Sequence, residues 1–114
     1  MLEDFRLKVF LTVVKERSFT AAALKLDVSQ SAVSQNISEL EKQTGVRLLV
    51  RQRGCVVPTE QGETFALFAR RILQAYEDLN TVFSDYHAYE EVSRQVKKLA
   101  DEPSFRLFRD ALIK

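Results

Sequence analysis

The sequence predicts a mainly α-helical chain with one short β-hairpin near its middle. Two observations carry that prediction. Residues 1–44 and 63–102 contain neither glycine nor proline, whereas Gly45, Gly54, Pro58 and Gly62 crowd into residues 45–62. On both sides of that window apolar residues recur at three- and four-residue spacing, the period of a helix with one buried stripe.

Each element follows in order. From Leu2 to about Lys15, the residues Phe5, Val9, Phe10, Val13 and Val14 share one stripe. Ser18 is placed to cap a second helix running through Leu26, because its hydroxyl can accept from a backbone N–H that has no partner inside the helix. Ala21, Ala22 and Ala23 in that helix allow another helix to approach closely. Asp27-Val28-Ser29 interrupts it, Ser29 caps a third helix, and Val33, Ile37 and Leu40 form that helix's inward stripe up to a stop at Gly45. The segment from Arg47 to Arg51 and the segment Cys55-Val56-Val57 read as two short strands around a turn containing Gly54. Thr59 then caps a long helix beginning at Glu60, whose Glu60 and Glu63 complement the positive end of the helix dipole.

Composition excludes several function classes. The 114 residues carry 17 Lys and Arg against 16 Asp and Glu, with 46% apolar and 29% charged residues, a balance suited to a folded cytoplasmic domain. Cys55 is the single cysteine, so neither an internal disulfide nor an all-cysteine zinc site is possible. His87 stands alone near a helix end and reads as a surface or packing residue, and Cys55 as a strand packing residue. No glycine-rich loop or acid–base cluster is present, so we expect no enzyme, no metal site and no cofactor. No apolar run approaches the roughly 18 residues that a membrane span needs, and Met1-Leu2-Glu3-Asp4 does not resemble a leader.

The functional signal lies in residues 20–40, which fit a helix-turn-helix. Ala23 is the small residue where two helices cross, Asp27 sits in the turn four residues on, and Val33 follows six residues later. Asp tolerates the left-handed backbone that such a turn requires. With Val33, Ile37 and Leu40 facing inward, the opposite stripe is Gln30, Ser31, Ser34, Gln35 and Ser38. That stripe is uncharged and dense in hydrogen-bonding groups, which suits base edges and phosphates in a major groove better than simple solvation. The hairpin adds Arg51 and Arg53 beside Gly54, where a wing can meet phosphates or a narrow minor groove.

Ser18-Phe19-Thr20-x-Ala22-Ala23-x-x-Leu26-x-Val28-Ser29-Gln30-Ser31-Ala32-Val33-Ser34 resembles the N-terminal signature of LysR-type transcriptional regulators. The resemblance continues through Ile37-x-x-Leu40-Glu41, Gly45-Val46-x-Leu48-Leu49, Arg51 and Thr59-Glu60-x-Gly62, and spans residues 1 to about 90. It implies a winged helix-turn-helix that binds double-stranded DNA, followed by a long dimerisation helix. Carried onto matching positions, the implied DNA contacts are Thr20, Ser29, Gln30, Ser31, Ser34, Gln35, Arg51 and Arg53. Ser31 stands where the family usually has proline, and Gln35 where it usually has arginine, so sequence preference is expected to differ. Residues 1–60 hold 9 basic and 7 acidic residues, a net of +2. Non-specific affinity comes mostly from phosphate neutralisation, so one copy should bind weakly and a dimer should compensate.

The domain plan expected is a DNA-binding domain over 1–58, a linker and dimerisation helix over 59–91, and a helical extension over 92–114. An unbroken helix over 59–91 would measure roughly 48 Å, longer than the roughly 35 Å breadth of a compact domain of this size. Along it Phe65, Phe68, Ile72, Ala75, Leu79, Val82, Tyr86 and Tyr89 repeat as a heptad seam, widened by Tyr76 and Phe83. An apolar seam on a projecting helix predicts a homodimer. Val92, Val96 and Leu99 extend the apolar pattern, and Asp101 and Pro103 begin a short C-terminal helix bearing Phe105, Phe108 and Leu112, expected to pack on the dimer helices. Two helical turns are too little for a ligand-binding domain, so the sequence reads either as a naturally short regulator or as a trimmed piece of a longer one, and the distinct capped helix after residue 100 favours the first. Such a chain could repress by occupancy or form a heterodimer with a full-length relative. The alternative is a protein-interaction adaptor whose winged domain has lost DNA, since Gln35 replaces a cation.

Overall fold

A computed structural model describes residues 4–100 of the chain. The elements run α1 (Asp4–Glu16), α2 (Phe19–Leu26), α3 (Gln30–Thr44), β1 (Leu49–Gln52), β2 (Cys55–Pro58), α4 (Glu60–Ser84) and α5 (Tyr86–Ala100). The predicted class, a mainly helical winged helix-turn-helix, is the one observed. One compact unit ends at Ala75 and a second begins at Tyr76.

Local chemistry sets the boundaries of the first unit. Ser18 and Ser29 both cap as expected, their hydroxyls accepting from the backbone N–H of Ala21 and Ala32 at 3.1 Å each. Asp27 takes the left-handed conformation (φ 57°, ψ 47°), and its N–H closes the end of α2 on the carbonyls of Ala23 and Leu24. Gly45 ends α3 with its N–H on the Glu41 carbonyl at 2.9 Å. The two strands pair antiparallel, Leu49 opposite Pro58 through Gln52 opposite Cys55. Their two-residue turn puts Arg53 and Gly54 at φ 54° and 79°, the double positive φ of a type I′ hairpin. Glycine adopts this freely. Arginine does so at a cost of about 1 kcal/mol.

The core gathers Val9, Phe10, Val13, Ala22, Ala23, Val33, Ile37, Leu40, Leu48, Leu49, Val56 and Ala66, all nearly removed from water. Ala22 and Ala23 are the close-approach surface of α2. Phe10 of α1 meets Phe65 of α4 edge to face, with ring centroids 5.0 Å apart, a geometry worth about 0.5–1.5 kcal/mol beyond area burial. One expectation for α1 fails. Phe5 is exposed, and Leu7 is buried in its place. Position 5 lies in the first turn of the helix.

The larger correction concerns the long helix. It is not continuous over 59–91: α4 ends at Ser84, and Asp85 separates it from α5. No glycine or proline marks the break, but short polar side chains do. The Ser84 hydroxyl donates to the Thr81 carbonyl at 3.1 Å, and the Asp85 carboxylate accepts from the His87 N–H at 3.0 Å. Such groups compete with helical hydrogen bonds and start a new helix instead. Tyr86 and Tyr89 therefore lie on α5, and Tyr89 touches Phe83 at 5.5 Å between ring centroids. On α5 the Arg94 and Gln95 hydrogen bonds hold the exposed Glu91 carboxyl below its ordinary pKa. The expected short helix after residue 100 lies outside the described residues.

Gly62 sits in the first turn of α4 against the Leu48 backbone, and an added Cβ would collide with the Leu48 carbonyl oxygen. Gly62→Ala should therefore destabilise the chain by about 2–3 kcal/mol. Urea denaturation checks this against Gln61→Ala, a neighbouring exposed site expected to change stability by less than about 0.5 kcal/mol.

Candidate nucleic-acid interface

The cap at Ser29 fixes where α3 begins and therefore which side chains its outer face presents. Thr20, Ser29, Gln30, Ser31, Ser34, Gln35, Arg51 and Arg53 are all exposed. The first of these are brought together across the turn. The Thr20 hydroxyl donates to Gln30 Oε1 at 3.2 Å, and the Ser29 and Ser31 hydroxyls lie 3.2 Å apart. The N-terminal half of α3 thus offers hydroxyl and amide groups without a formal charge, on a helix whose opposite face, Val33, Ile37 and Leu40, is locked in the core.

Between α3 and the hairpin runs a trench of about 570 Å³. Ser34 and Arg51 line it together with Ser38, Arg47 and Glu41. Arg53 stands apart from this group, at the hairpin tip.

Three residues that shape the site are absent from the sequence-derived contact set. Glu41 Oε2 accepts the Leu48 N–H at 2.7 Å and the Leu49 N–H at 3.2 Å, joining α3 to the start of the hairpin. Arg47 Nε stands 3.8 Å from the same carboxylate oxygen, and Arg47 is largely exposed, so the ion pair adds little energy beside the two backbone bonds. Phe19, the first residue of α2, lies under the Arg51 guanidinium with 5.4 Å from the guanidinium carbon to the ring centroid. An acidic residue late in an otherwise amphipathic helix reads as solubility; only the fold brings two unsatisfied N–H groups to it.

Residues 5–63 match the bacterial regulatory helix-turn-helix protein, lysR family, pattern. The chain belongs to that family. Among its relatives are the uncharacterised HTH-type transcriptional regulator YfeR of Shigella flexneri, 46% identical over 80 residues, and the uncharacterised HTH-type regulator YnfL of Escherichia coli K12, 33% identical over 111 residues. The aligned stretches take in 70% and 97% of this chain but only 25% and 37% of those proteins. These LysR relatives are transcriptional regulators rather than enzymes. Among solved structures, the BenM DNA-binding domain in complex with benA site 1 DNA superposes with a TM-score of 0.70 at 34% identity, over 73% of this chain and 93% of that one. The CbnR DNA-binding domain in its DNA complex gives a TM-score of 0.67 at 34% identity, over 70% and 92%.

The geometry of this LysR domain makes Glu41 a stability determinant as well as a spacer. Glu41→Ala leaves two backbone N–H groups without their charged acceptor and should cost about 1.5–3 kcal/mol in urea unfolding, while Glu41→Gln, which keeps one acceptor oxygen, should cost less. Hydrogen exchange should show faster opening at Leu48 and Leu49 in the alanine variant.

Proposed function

We propose that this chain is a sequence-specific double-stranded-DNA-binding transcriptional regulator that acts as a dimer. The observation that carries the reading is the exposed, uncharged, hydrogen-bonding face of α3 standing beside an arginine-bearing wing. Gln30, Ser31, Ser34 and Gln35 would read base edges, with Thr20 and Ser29 at the helix start and Arg51 and Arg53 on phosphates or in the minor groove. Membership of the lysR family and the DNA complexes of BenM and CbnR support this assignment. No helix among the described residues is long and apolar enough to cross a membrane.

The dimer reading rests on α4. In the first unit Phe68 and Ile72 are exposed and Phe65 is half-buried; in the second, Leu79 is exposed and Val82 half-buried. With Ala75 they form the heptad seam, and an exposed apolar seam of this kind is characteristic of an association surface. Near its start an apolar cleft of about 260 Å³, lined by Leu7, Val46, Leu48, Phe65, Phe68 and Ile72, widens the patch. Two copies joined here would present two recognition helices to the half-sites of an inverted repeat. The break at Asp85 limits the continuous α4 seam to Phe65 through Val82, leaving Tyr86 and Tyr89 as contacts of α5. The same seam could accept a full-length relative as a heterodimer partner.

Fluorescence anisotropy with mixed genomic duplexes at two salt concentrations tests the DNA reading. Binding should weaken steeply as salt rises. A Gln30→Ala/Ser34→Ala variant should lose about tenfold or more in affinity for selected duplexes; absence of wild-type binding at low salt would overturn the assignment. Sedimentation tests the dimer: the wild type should run at twice the 13.1 kDa chain mass and Leu79→Asp at the single mass. A wild type at single mass would contradict the seam.

A further inference from the structure

We propose that Phe19 is a positioning residue for the wing: its ring holds the Arg51 guanidinium ready for a DNA backbone phosphate in the trench between α3 and the hairpin. This inference rests on the DNA-binding reading above and names a residue that acts through another.

The geometry supplies the argument. The guanidinium carbon lies 5.4 Å from the Phe19 ring centroid, within the roughly 6 Å over which a cation is attracted to an aromatic face. Both ends of this stack hang from one short stretch of backbone. Phe19 opens α2 directly after the Ser18 cap, which fixes its backbone. One residue before the cap, the Arg17 carbonyl accepts the Val56 N–H at 3.0 Å, and Val56 is the cross-strand partner of Arg51. The ring is half-buried and packs against the core, so it is a fixed platform, whereas Arg51 is exposed. Position and platform are thus set by the same three residues.

An arginine otherwise loses much rotamer freedom when it captures a phosphate. A stack on one face removes part of that freedom beforehand and leaves the planar N–H edge available to an oxyanion. The surroundings match such a ligand, because Ser34, Ser38 and Arg47 line the same trench as Arg51 and Phe19. Serine hydroxyls and arginines are the groups that hold the DNA backbone in register. Arg53, at the turn, lies outside this trench and serves as the internal comparison.

A double-mutant cycle on the full chain tests the proposal, with a fluorescein-labelled duplex pool selected for binding to the wild type. Phe19→Leu, which keeps apolar bulk against the core, should weaken binding about two- to fivefold. Phe19→Tyr, which keeps the ring, should restore wild-type affinity. In an Arg51→Ala background the Phe19→Leu effect should vanish, while in an Arg53→Ala background it should persist. Arg51→Ala should lower the salt slope by about one, and Phe19→Leu should leave it unchanged because the charge remains. An undiminished Phe19→Leu loss in the Arg51→Ala background would make the role structural and overturn the proposal. Unchanged or tighter binding by Phe19→Leu would overturn it as well. Wild-type chain that binds no duplex would sink the DNA reading and this inference together, whereas wild-type binding with uncoupled residues would sink the inference alone. A second measurement needs no variant to fold: ring stacking should shift the Arg51 side-chain proton resonances upfield, and unshifted resonances would contradict the stack.

Discussion

Leu48 is the joint on which the rest of the first unit depends. Its N–H goes to the Glu41 carboxylate at the end of α3, and its carbonyl accepts the Thr59 N–H at the start of α4. Its side chain is sealed in the core. Gly62 presses against the same carbonyl, and Thr59 adds two further bonds, donating its hydroxyl to the Arg47 carbonyl at 2.6 Å and accepting the Gly62 N–H at 3.0 Å. One residue thereby sets the spacing of α3, the hairpin and α4. A buried backbone group deprived of its partner costs far more than a typical hydrogen bond gains, so the joint is intolerant of substitution around it.

That intolerance has a functional consequence. A helix reads a groove only if its outward residues are held at one depth and angle, and the wing must meet the flanking backbone at the same time. The outer face of α3 is held from behind by Val33, Ile37 and Leu40, and the hairpin from two sides, by Glu41 at its base and by the Arg17 carbonyl along β2. Charge contributes little to this arrangement. The domain is nearly neutral; Arg47, Arg51 and Arg53 lie in or beside the hairpin, whereas Gln30, Ser31, Ser34 and Gln35 on the outer face of α3 are uncharged. Under the proposed function, discrimination would rest on these neutral hydrogen-bonding groups and phosphate attraction on the wing.

The second unit has a different character. No residue of α5 is buried, and Tyr86, Tyr89, Val92, Val96 and Leu99 are exposed. Helices of this length gain most of their stability from packing an apolar face and not from propensity alone. Under the proposed dimer, the seam of α4 is the surface whose burial would add to that stability.

The caps at Ser18, Ser29 and Thr59, the left-handed Asp27, the hairpin turn at Gly54 and the buried stripe Val33-Ile37-Leu40 were all legible in the amino-acid order, because each depends on neighbours within a few residues. The exposed polar face of α3 followed from the same periodicity. Other features depended on partners brought from a distance. The bonds of Glu41 to Leu48 and Leu49 and the stacking of Arg51 on Phe19 depended on the hairpin folding back against α3 and α2. The end of α4 at Ser84 was written locally, in hydroxyl and carboxylate competition that a glycine and proline count does not register. Short-range hydrogen bonding and periodicity were thus contained in the sequence itself, whereas the meeting of groups far apart along the chain was decided only when the core closed.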